Sequence, residues 1–325
     1  MTDDATTTVA ATNHATPYGD TPRIDRIALG AALVSVVLWA SAFVGIRAAA
    51  VDMSPGALAL GRLLVGGLAL GVIVAIRRPR MPSRRALLPI VASGVLWFGL
   101  YNLTLNTAER HVDAGTAAML VNVGPILIAV MGGLFLGEGF PPRLLAGCVV
   151  AFAGAAMIGL ATSGHGPTGE ATLGIVLCLV AAFAYAVGVT LQKPVLASVP
   201  ALTVTWLACL VGVAVCLPFS MQLVTEIGVA SPVSVAWLVY LGLFPTAIGF
   251  TTWAFALGRT SAGRLGSMTY LVPALAVALG WLLLGEAPMP LAIAGGAVAI
   301  TGVVIARWAP RTRESAPEAI ANARA

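Results

Sequence analysis

Polar side chains are scarce in this 325-residue sequence, and the few that interrupt its apolar runs are the candidates for chemistry. Arg62 is the one charged residue well inside such a run. It lies about seven residues from the start of the run, or ~10 Å along a helix. A guanidinium at that depth either snorkels to the nearer surface or binds a carboxylate or phosphate. Asn102 and Asn106 are four residues apart, which puts them on one helix face beside Tyr101. They either hydrogen-bond between helices or contact a polar ligand. Asn122 stands three residues before Pro125, and Tyr270 three before Pro273. Each proline removes a backbone donor, bends its helix and frees a carbonyl one turn back, which is tolerated where it lines a cavity. The expectation is that Asn122 and Tyr270 form opposed lips of one central site; the alternative is two kinks packed in protein. Trp39, Tyr185 and Trp253 fall in the bodies of their runs, where aromatic faces suit apolar or cationic small molecules. Trp97, Trp237 and Trp308 fall nearer run ends and read as interfacial belt residues. Glu138 and Glu286 each close a run, as interfacial carboxylates bonded to loops or as latches of a gate.

Other chemistries lack their residues. No Asp or Glu occupies the centre of a run, so a buried-carboxylate proton relay has no candidate there. The phosphate-cradling Gly-Lys-Ser/Thr loop is missing, as are His-x-x-x-His and Cys-x-x-Cys spacings. Neither a catalytic set nor a metal or other cofactor is expected. The four cysteines, Cys148, Cys178, Cys209 and Cys216, all sit in apolar runs and read as packing residues.

The elements that must position these residues are membrane helices. The chain is 59% hydrophobic and 10% charged, with mean hydropathy +0.95, against about 25% charged in a soluble domain. A formal charge of +5 therefore speaks to the lipid bilayer and not to nucleic acid. Residues 1–26 form a polar tail rich in Thr, Ala and Asp. The first run is too long for a signal-peptide core, and Arg47 precedes the small residues that could mimic a cleavage site. Ten runs approach the ~20 residues that cross ~30 Å of hydrocarbon, at about 27–46, 56–76, 87–107, 114–136, 142–161, 171–191, 202–221, 234–255, 263–284 and 289–307. Ten spans place 15 of the 18 basic residues on one side, with Arg47 and Arg110 opposite and Arg62 within a helix. That asymmetry puts both termini, including the tail 308–325, in the cytoplasm.

An internal repeat joins the elements. Residues 114–158 return at 262–306 with a constant offset of 148 and 15 of 45 identities without a gap. Gly115, Pro125, Gly132, Gly137, Glu138, Pro142, Gly147 and Gly154 meet Gly263, Pro273, Gly280, Gly285, Glu286, Pro290, Gly295 and Gly302. Five spans separate the copies, so the second copy enters the membrane from the opposite face. The predicted fold is all-α and polytopic, with ten transmembrane helices as two inverted repeats, 27–161 and 171–307. The first two helices of each half match faintly.

These motifs together resemble the EamA family of the drug/metabolite transporter superfamily. The resemblance rests on Trp39-Ala40-Ser41-Ala42-Phe43, Arg62, Ala108-Glu109-Arg110-His111-Val112-Asp113-Ala114-Gly115, Pro125 and Leu136-Gly137-Glu138. It rests equally on Ala256-Leu257-Gly258-Arg259-Thr260-Ser261-Ala262-Gly263, Pro273 and Leu284-Gly285-Glu286. It covers roughly 27–307 and implies alternating-access transport of small metabolites, with Ser41 joining the candidate substrate contacts. Phe183-Ala184-Tyr185 departs from it, standing where many members carry Trp. The expected function is secondary transport, as export of a small metabolite or amino acid across the bacterial cytoplasmic (inner) membrane by a monomer or homodimer. The alternative is a membrane sensor or intramembrane enzyme, for which neither an output domain nor a nucleophile–base pair is visible.

Overall fold

The computed structural model describes residues 25–112, 117, 120–162, 169–284 and 289–307. Among them the secondary structure is helical throughout. The runs are α1 (Arg26–Ala49), α2 (Pro55–Arg77), α3 (Arg84–Ala108), α4 (Gly124–Phe135), α5 (Pro142–Thr162), α6 (Gly169–Val195), α7 (Ala201–Val229), α8 (Pro232–Leu257), α9 (262–284) and α10 (Pro290–Arg307). Local chemistry sets the starts. Asp25 caps α1 by accepting from the Ile27 and Ala28 N–H groups, each at 3.0 Å. Ser54 and Ser231 cap α2 and α8, each followed by a proline, whose missing N–H costs nothing in the first turn.

Six of these runs are long and apolar enough to cross a membrane, namely Arg26–Ala49, Pro55–Arg77, Arg84–Ala108, Thr172–Val195, Ala201–Val229 and Pro232–Leu257. Shorter apolar helices cover Gly124–Phe135, Pro142–Ile158 and Pro290–Ala306. The expected prolines account for part of the shortening. Before Pro125 the helix breaks at a turn over Asn122 and Val123, and before Pro273 it tightens into a 3₁₀ turn, Ser267–Tyr270.

The repeat reaches further in the structure than in the sequence. α2 and α7 begin at 55 and 201, an offset of 146. α3 and α5 begin at 84 and 142, and α8 and α10 at 232 and 290, an offset of 148. Even a defect is repeated. α3 widens into a π-helical turn over Gly94–Leu100, and α8 does so over Gly242–Gly249. Such turns are rare and concentrate at functional sites.

The two copies are related by a two-fold exchange of contacts. A Cβ on Gly154 would lie 2.3 Å from the Ala299 nitrogen, and one on Gly302 would lie 2.2 Å from the Ala151 nitrogen. Subtracting 148 from 302 and 299 gives 154 and 151, so the two contacts are one contact seen twice. Gly147 against Ala306 and Gly295 against Ile158 form a second exchanged pair. Only glycine allows α5 and α10 to approach this closely.

The helix ends sort into two faces. At one, Asp52 accepts from the Ser231 backbone N–H (3.0 Å) and from the Ser231 and Ser234 hydroxyls (both 2.7 Å). Glu226 accepts there from the Ser54 N–H at 2.8 Å. At the other, Arg259 pairs with Asp25 at 3.6 Å, and Glu138 and Lys193 grip the α8–α9 junction.

Candidate functional site: a cavity above an aromatic floor

The site begins with the π-turn of α8. That turn displaces Thr246 so that its hydroxyl donates to the Leu241 carbonyl five residues back, at 2.8 Å. The same oxygen accepts from the Arg62 Nε at 3.1 Å. Gly66 makes room, since a Cβ there would meet the Thr246 methyl at 2.8 Å. Arg62 is 5% exposed, so it does not snorkel. Among the described residues no carboxylate lies within ion-pair distance of it. A buried charge without a salt bridge is costly, and an anionic ligand would supply one.

Arg62 opens onto a cavity of about 80 Å³ lined also by Trp39, Trp97, Tyr101, Asn102, Asn122, Tyr185, Thr269 and Val272. At roughly 10–15 Å³ per water, that is room for about five to eight waters. A ligand of that size is small. The walls are mainly apolar and aromatic, with few polar groups to orient a ligand. Asn102 donates to the Phe98 carbonyl at 2.8 Å, which leaves its side-chain oxygen for the cavity. The Tyr185 hydroxyl faces Thr269 without closing a hydrogen bond.

The floor is a stack of rings. Trp39 lies 4.8 Å from Trp253, 5.3 Å from Phe250 and 6.1 Å from Trp97. Phe98 and Phe250 lie 4.4 Å apart. The Trp39 indole N–H donates to the Pro245 carbonyl within the irregular turn, at 3.3 Å. The cavity therefore ends at Trp39, midway along α1, and runs along Ala42, Phe43 and Ile46 toward the Asp52 face.

The opposite face is latched. Gly137 has φ +66 and ends α4 in the left-handed conformation, with the Glu138 N–H returning to the Gly132 carbonyl at 3.1 Å. That turn aims Glu138 across to the start of α9, where its oxygens accept from the Ala262 and Gly263 N–H groups at 2.6 and 3.1 Å. A carboxylate at a helix start satisfies donors that have no partner in the helix. Lys193 donates to the Leu257 and Thr260 carbonyls, both at 2.6 Å, at the end of α8. The α8–α9 junction is thus held by an anion at its N–H side and a cation at its C=O side.

Several expected residues stand elsewhere. Trp97 is not at an interface: it is 2% exposed in the middle of α3, as the centre of the run 87–107 already places it. Trp253 is fully buried beneath Trp39 and does not reach the cavity. Ser41 points sideways from α1, with its hydroxyl 2.7 Å from that of Tyr240. Asn106 lies past the cavity and donates to the Pro55 carbonyl at 3.3 Å. Tyr270 is fully buried against Ala129, Leu144 and Val303. Three residues per turn in the 3₁₀ segment rotate it off the wall, and its neighbour Thr269 takes the place. Glu286 lies outside the described residues.

Both halves of the chain carry one sequence signature: residues 26–160 and 172–308 each match the EamA-like transporter family. The chain belongs to this family. A relative from Streptantibioticus cattleyicolor, described as a probable terminal-alkyne amino-acid exporter, is 36% identical over 86% of this chain and 92% of its own. The Bacillus subtilis uncharacterized transporter YdfC is 33% identical over 82% of this chain and 86% of its own. A Salmonella typhimurium protein described as a probable amino-acid metabolite efflux pump is 26% identical over 88% and 96%. A solved crystal structure superposes with a TM-score of 0.71 at 21% identity, covering 86% of this chain and 96% of that one.

Proposed function

We propose that the chain is a secondary transporter that exports a small, apolar α-amino acid across the bacterial cytoplasmic membrane by alternating access. It has ten spans in two inverted repeats and both termini in the cytoplasm. It works as a monomer or homodimer without a cofactor. The observation that carries the substrate reading is Arg62, a buried cation with no salt bridge among the described residues, set in the wall of a small aromatic-floored cavity. A substrate carboxylate supplies the missing anion, and the rings receive a short apolar side chain. The names of the Streptantibioticus cattleyicolor and Salmonella typhimurium relatives support an amino-acid substrate moving outward.

Basic residues concentrate toward the Glu138 face, which is the cytoplasmic face under this reading. The cavity then opens outward, with the ring stack and the Glu138–Lys193 latch closing the route inward. Pro125 and Pro273 supply the helix breaks about which the halves rearrange, and Glu286 is the sequence counterpart of the Glu138 latch on the outer face. Substrate contacts are Trp39, Arg62, Tyr101, Asn102, Asn122, Tyr185 and Thr269.

Counterflow into proteoliposomes tests this. Vesicles loaded with unlabelled propargylglycine, a terminal-alkyne amino acid, are expected to accumulate the labelled compound, and Arg62→Gln to abolish accumulation while the protein still folds. Full activity in Arg62→Gln refutes the carboxylate site. Absence of counterflow for propargylglycine, norvaline and alanine alike refutes the substrate class.

A further inference from the structure

Past Ile46 the cavity meets a second one, lined by Arg47, Asn106, Glu109 and Arg110, and Ile46 belongs to both walls. Glu109 follows directly on the last residue of α3. The residue is partly buried, yet its Oε1 is fully enclosed and has no hydrogen-bond partner among the described residues. The charged groups that face it are Arg47 from α1 and Arg62 from α2, with Tyr101 on its own helix and Cys178 from α6. Arg110 is the next residue, and its guanidinium donates to the Met53 carbonyl at 3.4 Å. His111 follows in the same turn. A lone enclosed carboxylate near a lone buried guanidinium, without a salt bridge between them, is the arrangement of two groups that a third can separate.

We infer that Glu109 competes with the substrate carboxylate for Arg62, and that its protonation therefore binds together with the substrate. This rests on Arg62 as the carboxylate site, the reading proposed above. Burial pushes the Glu109 carboxyl up to about 7, with Arg47 and Arg62 pulling the other way. As pH falls through that value Glu109 becomes neutral, the Arg62 charge is left uncompensated, and a substrate carboxylate is held. As pH rises, Glu109 ionises, offsets Arg62, and the substrate leaves. Linkage is reciprocal, so a bound carboxylate raises the proton affinity of Glu109 by the same factor. The site thus binds a proton and an amino-acid carboxylate together, and export down the substrate's own gradient carries both outward.

The test uses the purified full chain and the fluorescence of Trp39 and Trp97, which line the cavity, titrated with propargylglycine at pH 5.5 and 8.5. The ligand's carboxylate is ionised throughout this interval. Wild type is expected to bind about tenfold more tightly at pH 5.5, within the range of about 5- to 150-fold typical of coupled sites. Glu109→Gln is expected to bind equally at both pH values, with the affinity of the acid form. Glu109→Asp is expected to keep a pH slope, and Arg62→Gln to lose binding at both. An unchanged slope in Glu109→Gln, together with loss of binding in Arg62→Gln, overturns the inference and leaves the functional reading standing. Wild-type affinity that is equal at the two pH values overturns it without any variant. Undiminished binding in Arg62→Gln overturns the functional reading instead.

Discussion

Replacing Gly154 by alanine tests the packing on which the two-fold arrangement stands. The new Cβ would lie 2.3 Å from the Ala299 nitrogen, 2.6 Å from the Gly295 oxygen and 2.8 Å from the Ala299 Cα. All three are backbone atoms, so no side chain can turn away, and α5 and α10 must separate by about 1 Å to restore ordinary contact. Overpacking of this kind costs typically about 1–3 kcal/mol, and rigid neighbours place it at the upper end. Alanine's higher helix propensity returns at most about 1 kcal/mol. The net loss is about 2 kcal/mol, or a midpoint lower by roughly 3 °C for 325 residues. Thermal unfolding in detergent, followed by tryptophan fluorescence, measures it. Gly302→Ala is expected to match, since its Cβ would lie 2.2 Å from the Ala151 nitrogen in the exchanged contact. The double variant is expected to lose less than the sum, because the first substitution already parts the helices for the second. Gly296→Ala, on α10 with Gly302, is the control, as its nearest neighbour is the Ala274 Cβ at 3.6 Å. A Gly154→Ala midpoint no lower than that of Gly296→Ala refutes the packing argument. Unequal losses in Gly154→Ala and Gly302→Ala refute the two-fold.

Other predictions concern the site and its latch. Thr246→Val removes the hydrogen bond that positions Arg62; bonds to charged groups are worth about 1.5–3 kcal/mol, so the counterflow KM is expected to rise at least about tenfold with expression unchanged. Glu138→Gln exchanges an oxygen that accepts a backbone N–H for an amide that cannot. It is expected to expose the α8–α9 junction, read as faster maleimide labelling of a cysteine placed by Thr260→Cys in a background without the native cysteines. The Asp52 carboxylate is held below its usual range first by the Ser234 hydroxyl and then by Ser231. A depressed carboxylate contributes stability above its unfolded value and loses it as pH falls through the folded one. Asp52→Asn is therefore expected to flatten the stability profile only below about pH 4, and a change confined to pH 5.5–8.5 would contradict this.

What could be read in advance follows from how each feature is encoded. The repeat was legible because glycine and proline act through backbone conformation, which needs no partner to be recognised. Arg62 was legible because charge is rare in apolar runs. Its Thr246 partner was not, since a π-turn shifts the helical phase by one residue and leaves no compositional mark. The same kind of phase error separates Tyr270 from Thr269, where a 3₁₀ turn replaced the expected α-helical spacing. Trp97 differs because its residue type suits an interface while its position, at the centre of the run 87–107, puts it among the core rings. Glu109 escaped notice because it lies beyond a run end, where carboxylates are ordinary; only the enclosure of its oxygen sets it apart. Glu138 read as an interfacial group, and its service to the start of α9 is a contact across 124 residues of sequence.

The paired π-turns carry a chronology. Each is a local defect, one residue too many for an α-helix, and the two sit at the same place in their repeats, Gly94–Leu100 and Gly242–Gly249. A shared irregularity is inherited more simply than acquired twice. The defect therefore belongs to the ancestral half-length chain and predates the duplication. Divergence then filled the same pair of distorted turns differently, with Trp97 and Phe98 in one copy and Pro245 and Thr246 in the other. The older feature is the widened turn, and the side chains that now fill it are its later tenants.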